Sequence, residues 1–525
     1  MANDVLTQTA APVVEIAAGK VRGYTEGRIH SFKGIPYGAP TGGNSRFMAP
    51  QRPAPWAGVR EAIAYSGHAP QLPGRAERRP EMRTILGPAD TTQEGEDCLT
   101  LNVWTPGLDG GAKRPVMVWL HGGAFAYGSG NRAVTEGANL ARRGNVIVVS
   151  VNHRLNIFGY LHLADIGGER FAHSGNAGSL DLVAALEWVR DNIAEFGGDP
   201  ANVTIFGESG GGGKVSVLLA MPAARGLFHR AVIQSGATIR VSTRERGNAL
   251  AEAILKELGM PRDQCERLQQ VPAGKLAAAI AAAARIVGRP PQRLLDRYDF
   301  GPVADGSDLP GQPFDPEAPA IADDIPLLIG GTREESGLFL ADDDEVWHRQ
   351  VSEASLRRRI DAVAGDNADR VLDLYRTLRP GASREQLLIA ALTGSNFWVR
   401  TLMLAERKAA RTKAPVYMYS LDWRSPACDG RLMAHHAMDL PFVFDTTEVP
   451  DSTRGAAGAR ELAATISATW AAFARTGNPA NPALPAWPSY AAENRATMVF
   501  DRDCHIVNDP DRDARLLWQR VVTRA

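Results

Sequence analysis

The segment Val203-Thr204-Ile205-Phe206-Gly207-Glu208-Ser209-Gly210-Gly211-Gly212-Gly213 constrains the fold of this chain more than any other. Its first four residues read as the end of a buried strand, and the residues after the glycines open a helical pattern. A serine between the two sits on a sharp strand-to-helix turn, with its hydroxyl lifted clear of the backbone. A base can reach it from one side and a substrate from the other, which is the arrangement of a nucleophile elbow. Gly207 and Gly211 flank the bend because side chains there would collide across so tight a turn. Glycine makes up 52 of 525 residues, so a bare G-x-S-x-G pattern carries little weight by itself. Here it falls between a strand pattern and a helix pattern, which chance does not supply.

Around this segment run continuous apolar stretches at 116–120, 146–151, 203–206, 231–234, 327–329 and 416–420. Strands without polar alternation are buried on both faces. Leu182, Leu186, Val189, Ile193 and Phe196 recur at helical spacing, with Ser179 as the expected N-cap. Strand and helix in alternation predict an α/β fold, with a large, mostly parallel central sheet covered by helices on both faces. Residues 13–70 alternate short strands with Gly/Pro turns, an expected antiparallel edge. From about 240 to 320 and from 345 to 410 the pattern turns helical. These stretches are expected as insertions over the strand ends, within one domain spanning 1–525.

Charge excludes some partners. Lys+Arg count 58 against 59 Asp+Glu, a formal net charge of −1, which gives no electrostatic case for nucleic acid or an anionic membrane. The basic run 75–83 and the acidic run 342–345 read as solvated loops. Cys98, Cys265, Cys428 and Cys504 are widely spaced, and no CxxC or HExxH occurs, so neither a disulfide framework nor a metal site is expected, and no cofactor. The first residues carry an acid and no continuous apolar core, unlike a secretory signal. No apolar run approaches the ~20 residues that span a bilayer. A cytoplasmic protein, monomeric or weakly self-associating, is expected.

A serine hydroxyl needs a base, normally an imidazole oriented by a carboxylate. Two later segments supply them. The strand at 327–329 breaks into a loop with Glu334 and Glu335, and His435 and His436 follow the strand at 416–420. The residues alone leave the choice within each pair open. A third part follows 116–120: His121-Gly122-Gly123-Ala124-Phe125 can aim free N–H groups at one point, together with that of Gly210, as stabilisation of an oxyanion requires.

With these motifs the chain resembles the type-B carboxylesterases, a family that includes bacterial carboxylesterases, p-nitrobenzyl esterase and the cholinesterases. The resemblance also rests on Phe32-Lys33-Gly34-Ile35-Pro36-Tyr37, Glu96-Asp97-Cys98-Leu99-Thr100-Leu101-Asn102-Val103, Asn176-Ala177-Gly178-Ser179-Leu180-Asp181, Glu195-Phe196-Gly197-Gly198-Asp199-Pro200 and Ile233-Gln234-Ser235-Gly236. It implies an α/β-hydrolase fold and hydrolysis of small carboxylic esters, with short to medium acyl chains, through an acyl-enzyme. It assigns Ser209 as nucleophile, Glu335 as acid and His436 as base. It makes Gly123, Ala124 and Gly210 the oxyanion donors, and Glu208 and Ser235 supporting residues. The loop 71–95 and Phe125, Tyr298, Phe300, Leu338, Phe339 and Phe397 are the expected pocket walls. Two departures stand out: Gly210 replaces the usual alanine after the nucleophile, and Lys214 stands where a small or hydroxyl residue is common. Amide or carbamate hydrolysis uses the same machinery and is the alternative. A non-catalytic binding protein of cholinesterase-like fold is a second, disfavoured because all three reacting residues are kept.

Overall fold

The structure is a computed structural model that describes residues 11–71, 79–288, 300–411 and 413–524. An 11-stranded sheet runs through it. Its strands are β1 (Tyr24–Glu26), β2 (Ile29–Pro36), β3 (Thr100–Thr105), β4 (Arg114–Leu120), β5 (Ile147–Val151), β6 (Gly198–Glu208), β7 (Arg230–Gln234), β8 (Leu327–Thr332), β9 (Val416–Leu421), β10 (Ala496–Phe500) and β11 (His505–Asn508). Their order is β11-β10-β9-β8-β7-β6-β4-β5-β3-β2-β1. From β10 across to β5 every neighbouring pair is parallel, and the antiparallel strands lie outside.

The unbroken apolar strands are explained by two separate cores. In β4, Val116, Val118 and Leu120 join one cluster while Met117 and Trp119 join the other. The two-residue period of a strand thus serves both faces at once. Helix α1 (Ala177–Asn192) covers the first face with Leu182, Leu186 and Val189. On the second, Ala459–Thr476 contributes Leu462, Ile466, Trp470 and Phe473. Within the first core, Arg154 and Asp181 pair at 2.5 Å, both nearly solvent-free, and tie the segment after β5 to α1.

Three details differ from the sequence reading. Ser179 lies inside α1, whose N-cap is Asn176 because the chain is already turning through the 3-10 segment Ser174–Asn176. The expected antiparallel edge divides: only β1 and β2 join the main sheet, while Val13–Ile16, Gly19–Arg22 and Val59–Glu61 form a three-stranded sheet of their own. Finally, one helical stretch, Arg384–Arg411, is long and apolar enough to cross a membrane. Polar residues such as Arg400 mask it in the sequence, and 72% of its most apolar window is buried inside the protein, as in a core helix.

Within 240–320 lie the helices Arg244–Glu257 and Ala273–Val287, and within 345–411 lie Glu353–Ala364, Ala368–Leu378, Arg384–Thr393 and Val399–Arg411. The central strands end on one edge of the sheet, where ligands of open α/β sheets bind.

Candidate active site

At that edge β6 gives way to helix α2 (Gly210–Leu218) through Ser209, whose backbone takes φ 56° and ψ −122°. A non-glycine residue so far into positive φ is held by its surroundings. Here the Ser209 N–H donates to Gln234 O at 2.8 Å, and its carbonyl accepts from Gly213 N at 3.0 Å. A Cβ on Gly207 would lie 2.4 Å from the Gly211 carbonyl carbon, and one on Gly211 2.0 Å from Leu120 O. The elbow therefore exists only with glycine at both places.

The loop after β8 resolves the two acids. Glu335 turns inward: Oε2 lies 2.5 Å from His436 Nδ1, and Oε1 accepts from Ser235 Oγ at 2.5 Å and Thr332 N at 2.7 Å. Glu334 turns the other way and is held by Arg379 at 3.2 Å and Arg424 at 3.0 Å. The histidines separate likewise. His435 is fully buried with Nδ1 against His436 O, whereas His436 reaches a cavity of about 1000 Å³ that Ser209 and Glu208 also line.

The far side of the imidazole faces a second acid, with Nε2 3.1 Å from Glu208 Oε1. Ser209 Oγ and His436 are not hydrogen-bonded to each other. Such contacts commonly tighten only once a substrate is bound. Burial pushes the Glu208 carboxyl up, to about 8, with Asp439 and Glu335 adding to the rise. Burial alone would lower His436, but Glu208 and Glu335 outweigh it and raise the imidazole to about 9. Each group's charge acts on the other, so the pair titrates as a unit. Upward is the direction that the geometry carries for both.

A base acts only when neutral, so a raised imidazole loses activity as pH falls through a value above the ordinary 6.5. Glu208→Gln removes one of the two attractions. The acid limb of kcat/KM is then expected to move to lower pH, which a pH–rate profile from 5 to 10 would show. An unmoved or rising limb contradicts that account.

Gly123 and Ala124 also line the cavity, at φ 90° and 56°. Among the described residues their N–H groups donate to no protein acceptor, and that of Gly210 begins a helix and has no intrahelical one. Three free donors beside one hydroxyl can bind a developing negative charge.

The structure brings only some of the expected pocket residues to the cavity. Leu338, Phe339 and Phe397 line the cavity, and the rings of Phe339 and Phe397 sit 4.8 and 5.2 Å from that of His436. Phe397 is aimed there by a single π-turn, Gly394–Trp398, which re-phases the long helix. Phe125 and Phe300 are corrections: both are core residues. The chain turns through Ala124, and the Phe125 ring drops edge-on to Tyr160 at 5.3 Å, where a wholly apolar ring gains more by burial than on a wet wall. Tyr298 lies outside the described residues. Among the described residues, the stretch 240–320 adds nothing to the wall, whereas the second insertion supplies Asn396, Phe397 and Arg400.

Within the loop 71–95, which the sequence reading expects at the pocket, Asp90 lines the cavity and accepts from Ser129 Oγ at 2.5 Å and Thr92 N at 2.8 Å. Asp439 is a further acid of the site, given no role in the sequence reading. That acid, buried below the histidine, accepts from Tyr419 OH at 2.7 Å and Gln234 Nε2 at 2.9 Å. Nothing in local spacing singles out either residue.

A mixed sheet carrying a serine elbow, a histidine–carboxylate pair and an N–H loop at its strand ends defines an α/β-hydrolase. Residues 10–515 match the model of the carboxylesterase family, and the chain belongs to that family. It is 40% identical over 507 residues to the para-nitrobenzyl esterase of Bacillus subtilis (strain 168), covering 96% of this chain and 97% of the relative. It is 34% identical over 516 residues to the phenmedipham hydrolase of Pseudarthrobacter oxydans, covering 95% and 97%. The crystal structure of the Geobacillus stearothermophilus carboxylesterase EST55 superposes with a TM-score of 0.82 at 38% identity, covering 97% of this chain and all of that one. The protein is a carboxylic ester hydrolase.

Proposed function

We propose that Ser209 attacks the ester carbonyl while His436 takes its proton, Glu335 holding the imidazole and stabilising the cation formed. Gly123, Ala124 and Gly210 receive the oxyanion. The alcohol leaves with the proton from His436, and water then repeats the cycle on the acyl-Ser209 bond. The observation that carries this reading is the Glu335–His436 pair at 2.5 Å opening into the cavity that holds the Ser209 elbow. Ser235 and Glu208 support the pair, and every group in the scheme belongs to this chain or to water.

Short to medium acyl chains are the proposed substrates, admitted between Leu338, Phe339 and Phe397. Carbamates are a second reading, favoured by the similarity to phenmedipham hydrolase. A cytoplasmic site of action is also proposed, and four free thiols support it. The test joins two measurements. A fluorophosphonate is expected to leave one adduct, mapped by peptide mass spectrometry to Ser209, and p-nitrophenyl esters from acetate to laurate should turn over best at the short end. An adduct on another residue, or none, overturns the assignment.

A further inference from the structure

Gly210 and Lys214 both depart from the pattern that the family resemblance leads one to expect, and in the structure they act on the same loop. A Cβ on Gly210 would fall 2.2 Å from Ala124 O and 2.3 Å from Ala124 N. One on Gly211 would sit 2.0 Å from Leu120 O and 3.1 Å from His121 O. The first turn of α2 is thus a bare backbone surface on which the loop 121–125 lies directly. An alanine at 210 would have to push that loop away.

One turn further along α2, Lys214 closes the contact. Its side chain is 1% exposed, and Nζ donates to His121 O at 2.7 Å while passing 5.9 Å from the Phe125 ring centre. Among the described residues, no carboxylate lies within ion-pair distance of it. A buried amine with so little compensation costs stability that an apolar side chain of similar length would not. Burial lowers its ammonium to about 7, with Glu208 opposing, but ammonium and amine alike keep an N–H for the carbonyl. Behind it His121 and His153 stack at 5.1 Å, each with Nδ1 on a backbone carbonyl, and the Nε2 of His153 has no partner among the described residues. Lys214 is therefore the group of this cluster that reaches the loop's own backbone from α2.

We propose that Lys214 is a positioning residue for ester hydrolysis, fastening the loop 121–125 to the glycine surface of α2 through the His121 carbonyl and so setting where the Gly123 and Ala124 N–H groups point. The inference rests on the oxyanion role proposed above. Misplacing preorganised donors costs the transition state and not the bound ester.

Lys214→Met keeps the bulk of the side chain and removes the donor. Its kcat on p-nitrophenyl acetate is expected to fall by about 10- to 100-fold with KM close to wild type. Affinity for a trifluoromethyl ketone, which forms a tetrahedral oxyanion on the serine, should fall by a similar factor. The melting temperature should hold or rise, the reverse of what a structural role predicts. Wild-type kcat and ketone affinity in folded Lys214→Met, or a loss confined to KM, overturns the proposal. Should that variant fail to fold, Lys214→Leu decides, since it removes the donor to His121 O at the same helix position and buries only apolar atoms. The same kcat and ketone losses support the proposal, and wild-type values overturn it. A wild-type enzyme inert to both ester and ketone would instead remove the serine mechanism beneath it.

Discussion

Ser209→Ala is expected to lower kcat on p-nitrophenyl acetate by on the order of 10⁴-fold or more while leaving the fold intact. Alanine keeps the Cβ that the turn at φ 56° already accommodates, so the substitution adds no backbone strain. The Gln234 and Gly213 hydrogen bonds to residue 209 use its main chain and survive. What disappears is one oxygen at the cavity wall, and with it the acyl-enzyme. On the proposed mechanism, the remaining rate belongs to the N–H groups of Gly123, Ala124 and Gly210, which would still stabilise an oxyanion formed by direct attack of water. Steady-state turnover, together with a circular-dichroism melt matching wild type, checks this. A folded variant with more than about a hundredth of wild-type activity would remove Ser209 from the chemistry.

Glu335→Gln carries the second largest expected effect, a fall in kcat of about 10⁴-fold. The carboxylate accepts from three directions: Ser235 Oγ, the Thr332 N–H and His436 Nδ1. An amide keeps the shape but withdraws the charge, and if its nitrogen faces Nδ1 the imidazole takes the wrong tautomer. The proton then sits on the nitrogen that should receive one from serine. Glu334→Gln is the matched control. Glu334 is equally buried, but it is tied to Arg379 and Arg424, so its replacement should lower the melting temperature before it lowers kcat. Equal kinetic losses in both variants would mean that the acid has been misassigned.

The distance between sequence and structure can be read off single elements. Strands β4 to β9, apart from the extra residues at their ends, follow from unbroken apolar runs, because a parallel strand buried on two faces has no room for polar alternation. β10 (ATMVF) and β11 (HIVN) escaped notice, and β11, at the sheet edge with no residue fully buried, carries no continuous apolar run to read. At the site, the elbow and the N–H loop are local motifs and were legible from residue spacing. The choices of Glu335 over Glu334 and His436 over His435 were not, since each turns on which of two adjacent side chains faces inward. Only the family resemblance indicated them. Phe125 was misplaced for a similar reason: a positive φ at Ala124, which few non-glycine residues adopt, swings the next side chain beneath the loop.

Glu335 and Phe339 bracket one short helix, Ser336–Phe339, and both touch the same imidazole, one in its plane and one across its face. Phe339 is half exposed and lines the cavity, so on the proposed reading it is also a ring that an incoming substrate meets. Selectivity and basicity are in this way mounted on a single four-residue lever. Carving out space at 339 for bulkier acyl groups therefore also loosens the seat of the histidine.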